Sequence, residues 1–368
     1  MPSIRHLSAS AEIDWSLPQQ RTQKGLKYES FMKTMREEMV DAEDPEVKEA
    51  NDEIIRCKDL KPGDVHQSTV LNSMSVMYAN DDYIGLRLMP ELRTGNRAGI
   101  YYKYNKRDRF AYPDDSMSTR TEANEVSEGR TTGTYSLSGR ALKEFVDQTT
   151  LNNQDAPLNE MMDAQNNVLE GVTFKQEVRI ASAVTTAGNY AGNTAAIAAP
   201  DRWDTATGGD PINDINTALA ARWNGRGPGR VVAATSLTVW NVLKVHPRLL
   251  DLIRGNRDGM LSREMFAQWF EIDELLIGKA RKDTANEGQT ASYSRIWPDS
   301  FAIVRVATSP SIRNASFGYS VMEKAPVQRM WFDPKSGEEG GWYTQASLAD
   351  QQLVVAGDTG YLLTTPVG

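Results

Sequence analysis

The chain has 368 residues, 40% of them hydrophobic, with 41 Lys and Arg against 49 Asp and Glu and a formal charge of −8. That length holds about two average domains, or one large domain with insertions, and the acidic balance excludes a generally basic nucleic-acid binder, leaving DNA contact to local patches. No apolar run reaches the roughly 18–20 residues of a membrane span, and the start MPSIRHLSASAEIDW lacks a signal-peptide core. The single cysteine, Cys57, excludes an internal disulfide, so the expectation is a soluble protein made in a reducing cytosol, without a membrane partner.

In chain order, the first 65 or so residues are polar and carry acidic runs at Glu37-Glu38 and from Asp41 to Glu46. Thin apolar spacing at Leu26, Phe31, Met32, Met35 and Met39 predicts one short amphipathic helix on an extended arm, taken to end near residue 80. Such an arm buries too little to fold alone and must lie against its own body or a neighbour. Tyr83 to Pro90 reads as a strand stopped by proline. Ile100 to Tyr104 and Thr131 to Leu137 read as the two limbs of a long hairpin, about 97–137, separated by a polar excursion with Pro113, Asp114 and Asp115 at its tip. A loop of that length without its own core is usually functional. Its charges alternate in sign, with Lys103, Lys106, Arg107 and Arg109 against Asp114, Asp115, Glu122 and Glu125, which suits a mixed-charge protein surface better than DNA.

Pro157 to Thr186 carries the longest helical period, with Pro157 as its start and Gly171 as a weak point. Asp210-Pro211 opens a second helix, with Ile212, Ile215, Ala218, Leu219 and Trp223 expected on one face. Gly225 to Gly229 turns into the short buried strand Val231 to Ala234. Ser236 caps a helix that His246-Pro247 ends, Leu249 to Ile253 resumes, and Ser262 caps a further helix. Strands then follow at Glu274–Ile277, Phe301–Val306, Ser316–Met322 and Gln352–Thr364. Helices and strands interleave without regular alternation, so the fold class is α+β.

Signatures of chemistry are sparse. The glycines at 225, 227 and 229 follow a helix and open a strand, the reverse of a dinucleotide-binding loop. Asn256 to Gly259 has the middle of a calcium loop, but Arg254 and Met265 stand where its acids belong. The histidines His6, His66 and His246 lie far apart, and no nucleophile elbow, phosphate loop or H-E-x-x-H occurs. Neither a catalytic site nor a cofactor is expected. Arg248, Arg254, Arg257 and Arg263 cluster in one segment, as a solvated helix face or as inter-subunit ion pairs; Arg254 and Arg257 are the contact candidates.

The order of parts, with particular residues, resembles the major capsid proteins of tailed bacteriophages, the fold of phage Hong Kong 97. The residues are Tyr83-Ile84-Gly85 with Pro90, Arg97 to Tyr104, and Glu177 to Ala181; then Asp201 to Asp204, Asp210 to Ile212, His246-Pro247, Leu275 to Ala280, Ile296 to Pro298 and Phe317 to Tyr319. The resemblance covers about Tyr83 to the C-terminus. It implies an N-terminal arm (1–80), the start of a peripheral domain with an extended loop (81–150), the rest of that domain with a spine helix (151–202, helix 157–186), an axial domain (203–305) and returning strands (306–368). It also implies pentamers and hexamers closing an icosahedral shell around packaged DNA, a portal at one vertex, a decoration protein on the outside, and residence in the virion after assembly in the host cytoplasm. A short arm implies that scaffolding is a separate protein. Lys103 and Lys106 sit on the loop that is cross-linked in some members, but no pattern identifies a partner asparagine, and no cross-link is assigned. The competing readings are a nanocompartment shell of the same fold, a tail-tube subunit, and a cytosolic enzyme with a carboxylate site.

Overall fold

The computed structural model describes residues 80, 82–104, 108, 110–154, 159–205, 208–225, 227–253, 261–286, 288–311 and 314–368. The expected arm and its amphipathic helix, Cys57, His6, His66, Pro157, Lys106, Arg107, Arg109, Arg254 and Arg257 lie outside the described residues.

The described chain begins with a helical turn, α1 (Gly85–Leu88), and strand β1 (Glu91–Arg93). The hairpin strands β2 (Ala98–Tyr104) and β3 (Arg130–Ser136) lead to β4 (Ser138–Asp147), the short α2 (Gln148–Asn152) and the long α3 (Glu160–Thr185). Next come β5 (Thr194–Ala196), α4 (Pro211–Ala221), β6 (Gly229–Ser236), α5 (Leu237–Val245), α6 (Pro247–Ile253) and α7 (Arg263–Trp269). The chain closes with β7 (Glu274–Gly278), β8 (Arg281–Asp283), β9 (Tyr293–Arg295), β10 (Ser300–Ala307), β11 (Gly318–Met322), β12 (Val327–Asp333), β13 (Gly341–Val354) and β14 (Tyr361–Thr364).

Two mixed sheets organise these elements. One runs β1-β11-β13-β12, with β4 paired along the opposite edge of β13. The other runs β5-β14-β10-β6-β7. In the second sheet the pleat divides the side chains: Ala233, Phe301 and Ile303 join Trp203, Ile215, Trp240, Leu243, Phe266 and Phe270 of the helical layer, while Val232, Ala234, Ala302, Val304 and Val306 join Ile180, Val184 and Tyr190 on the other face. Helices thus cover both faces of that sheet. The first half of α3 packs on the other sheet instead, through Val168 and Val172 against Met322, Ala346 and Leu348. A single helix of 26 residues, roughly 39 Å long, therefore joins two cores.

Local signals explain the helix starts. The side chains of Asp210, Ser236 and Ser262 accept hydrogen bonds from the amides of Asn213, Val239 and Met265, each an N-cap three residues ahead. In α3 the cap is Asn159, which accepts from the Met162 amide at 3.1 Å, so the helix starts at Glu160, three residues later than the start expected at Pro157. We expect Asn159→Ala to cost about 1 kcal/mol in urea unfolding; a change within error would mean that the first turn frays in the native state. The loop after α4 turns as expected, with Gly225 and Gly227 at φ +64° and +99°.

Three expectations are corrected. Tyr83 to Pro90 is no strand: it holds α1, with Leu88 and Met89 both fully buried, and the strand begins only after the proline, at Glu91. A short apolar run does not distinguish the two, and here the amides of Ile84 and Gly85 are drawn onto a distant carboxylate. The C-terminal strand expected from Gln352 to Thr364 is two strands in different sheets, parted by a 3-10 turn at Gly357–Thr359. Trp223 does not sit on the buried face of α4, because the helix stops at Ala221 and it is Arg222 that is buried.

Candidate functional site

The hairpin is the first candidate surface. β2 and β3 pair antiparallel from Ala98↔Ser136 to Tyr104↔Arg130, and beyond them Asp108 Oδ2 accepts the Gly129 amide at 2.8 Å. Lys103 lies with its Nζ 5.3 Å from the centroid of the Tyr101 ring. Asp114 accepts the Ser116 hydroxyl at 2.6 Å and the Ser116 amide at 3.2 Å, bonds that hold its carboxyl below the usual range. Asp115, Glu122 and Glu125 stand exposed on the same excursion. So do Phe110, Tyr112, Met117 and Val126, each more than half exposed. Phe110 touches the body, edge-on to Trp223 at 6.2 Å. These apolar side chains build no core of their own and stand exposed among acids.

A second surface flanks β4. Asp350, buried at 1% exposure, takes Arg179 on Oδ2 (Nη2 at 2.6 Å, Nε at 3.2 Å) together with Gln352 at 2.9 Å, and pairs through Oδ1 with Arg140 Nε at 3.3 Å. Two arginines on one carboxylate leave a positive excess. On one side of Arg140 a cavity of about 300 Å³ is lined by Arg97, Lys324 and Arg329, with Glu323 neutralising Arg97 at 2.8 Å. On the other side a cavity of about 390 Å³ holds Lys175 and Arg179. Both are open, cationic grooves, suited to acidic side chains.

The third feature is a joint. Glu177, in the second half of α3 and only 2% exposed, accepts from the Ile84 amide (3.0 Å), the Gly85 amide (2.8 Å) and Trp297 Nε1 (2.8 Å). Burial raises its pKa, and the three donors oppose that shift. A Cβ on Gly85 would stand 2.5 Å from Glu177 Oε2, and one on Gly278 would run into the Trp297 ring, so only glycine fits at either place. Tyr83 to Gly85, Glu177 to Ala181, Leu275 to Ala280 and Ile296 to Pro298, scattered in the sequence, thus meet around one carboxylate. Phe317 extends the cluster, 4.8 Å from the Tyr190 ring. The sequence reading quoted Glu177 only within the run to Ala181 and gave it no site role, although an acid in phase with Ile180, Ala181 and Val184 is itself a signal of a buried partner.

Among the described residues no three His, Cys, Asp or Glu side chains are placed to hold a metal ion, and no helix is long and apolar enough to cross a membrane.

The comparison of folds decides what this frame is. The chain superposes with a TM-score of 0.60 on a phage-related protein from Bordetella bronchiseptica, 22% identical, over 78% of this chain and 93% of that one. It superposes at 0.52 on the capsid of Cyanophage P-SCSP1u, 10% identical, over 81% and 92%. The fold is the Hong Kong 97-type capsid fold. In sequence the chain is 24% identical over 304 residues to the major capsid protein of Pseudomonas phage JBD67, covering 81% of this chain and 96% of that one. With the major capsid protein of Burkholderia phage BcepMu it shares 25% over 215 residues, 57% and 68% of the two chains. No family model matches.

Proposed function

We propose that this chain is the structural subunit of a phage head, with a mechanical rather than an enzymatic role. Its copies close through pentamers and hexamers into an icosahedral shell that encloses double-stranded DNA. The observation that supports this most is the alignment with a phage major capsid protein over 96% of that protein's length. Residues 1–80 act as the arm, 81–150 and 151–202 as the peripheral domain with its loop, 203–305 as the axial domain, and 306–368 as the returning strands.

In the shell the hairpin reaches over a neighbouring copy. Lys103, Lys106, Arg107 and Arg109 with Asp114, Asp115, Glu122 and Glu125 meet a mixed-charge surface there, and the grooves beside Arg140 present charge that acids can meet. Arg254 and Arg257 pair between subunits around the axial centres. Heterologous contacts that close on themselves give rings, and a segment ordered only by such contacts gains its stability from assembly. A separate scaffolding protein, a portal at one vertex and a decoration protein complete the particle; DNA is met by non-specific contact. The protein resides in the virion after assembly in the host cytoplasm.

The test is removal of the hairpin tip, residues 108–128. The expected product is a folded subunit that forms no closed shells, read by negative-stain microscopy and sedimentation velocity beside the intact chain. Normal shells from the deletion variant would refute the role given to the hairpin. Particles of the intact chain that exclude DNA and carry protein cargo would favour a nanocompartment.

A further inference from the structure

Arg222 is 8% exposed, and neither its Nε nor its Nη1 has a hydrogen-bond partner. It caps the C-terminal end of α4, where its backbone amide bonds to the Ala218 carbonyl. Arg305, on β10, is buried beside it at 4% exposure, but its guanidinium is satisfied: Nη2 donates to the Gly227 carbonyl at 2.6 Å and Nη1 to the Ala315 carbonyl. The nearby acid is Asp273, whose Oδ2 already accepts the Val231 amide at 2.6 Å. Burial, with Arg305 adding to it, lowers the Arg222 pKa, and Asp273 opposes the shift. Asp273 is exposed and engaged by the Val231 amide, so among the described residues no carboxylate fills the two vacant donors of Arg222, whereas Arg305 beside it is satisfied by two carbonyls.

A buried cation with vacant donors is costly unless a counter-charge completes it. Arginine presents those donors as a planar fork matched to the oxygens of a carboxylate or phosphate. Trp223 follows Arg222 directly in the chain and meets Phe110 of the hairpin edge-on. We propose that Arg222, beside the loop after α4, is an oxyanion site, taking a group the size of phosphate or carboxylate. The oxyanion comes from free inorganic phosphate or from a carboxylate of a second copy in the shell; this second source rests on the proposed function, the first does not.

The experiment has two arms. In the first, the full chain is melted in increasing inorganic phosphate against sodium chloride of equal ionic strength. A bound anion raises the melting temperature along a saturating curve, whereas general salt exclusion gives a continuing rise. Arg222→Met should abolish the saturating component while melting in chloride at or above the intact chain, because it removes an uncompensated buried charge. Arg230→Gln, at a half-exposed arginine paired with Glu274, should keep it. In the second arm, the density beside Arg222 in assembled shells is read for a side-chain carboxylate of the adjacent copy. A saturating shift lost only with Arg222 assigns free phosphate. No shift, with a carboxylate in hydrogen-bond reach in the shell, assigns the second copy. A shift that survives Arg222→Met, or neither phosphate nor carboxylate at the site, overturns the proposal.

Discussion

Glu177→Ala should lower the unfolding free energy by about 4 kcal/mol or more, enough to take most of the chain out of the soluble fraction. The carboxylate accepts three buried donors, two from adjacent amides and one from a distant indole. Removing it leaves each donor unsatisfied at about 1–3 kcal/mol apiece, with a cavity added. Urea unfolding followed by tryptophan fluorescence reads it, since Trp297 is one of the donors; a loss under about 1 kcal/mol would mean that water replaces the carboxylate freely. The milder Glu177→Gln keeps one acceptor and turns an NH₂ toward the Gly85 amide. It also reports on charge. Because burial raises the pKa in the folded state above its unfolded value of 4.5, this group's stability contribution is fully present below about 4.5 and is lost as pH rises through the folded value. The stability of the intact chain relative to Glu177→Gln should therefore decline as pH rises from 4.5 toward neutrality. A constant difference across that range would show that folding does not raise the pKa of Glu177.

Gly171→Pro should cost about 3 kcal/mol or more. The site lies inside α3, in the turn that carries Val168 and Val172 and ahead of the turns that carry Ile180 and Val184. Proline there removes the bond to the residue 167 carbonyl and drives its ring into that turn. Gly171→Ala is the comparison. It gains up to about 1 kcal/mol of helix propensity, but its Cβ would meet Leu142 Cδ1 at 2.8 Å, so a small net change is expected. Equal melting of the proline and alanine variants would contradict a continuous helix.

The helix starts were legible because a cap is a local device: Asp210, Ser236 and Ser262 each sit three residues from the amide they hold. The hairpin was legible for the opposite reason, a long stretch without apolar spacing between two strand-like runs. Glu177 was not legible as a site, because its partners are 93, 92 and 120 residues away. Asp350 holds Arg179 across 171 residues. β4 and β12 escaped because they are edge strands with most residues exposed on both sides, so no two-residue alternation marks them. β13 escaped because Asp350 and Thr344 are buried in it among its apolar residues. The two grooves beside Arg140 are assembled from five parts of the chain and have no linear signature.

The length of α3 has a mechanical consequence. A single rod anchored by Val168 and Val172 in one core and by Ile180 and Val184 in the other behaves as a beam, and the two sheets cannot hinge about each other without bending it. Its stiffness makes each subunit a plate of fixed dihedral angle. Were copies to close into the shell proposed above, any mismatch in angle between neighbours would fall on the parts with the least packing of their own, the hairpin foremost. Load from inside such a shell would travel along the beams and be relieved at the hairpins, so fatigue of the wall would begin where the protein carries the least packing of its own.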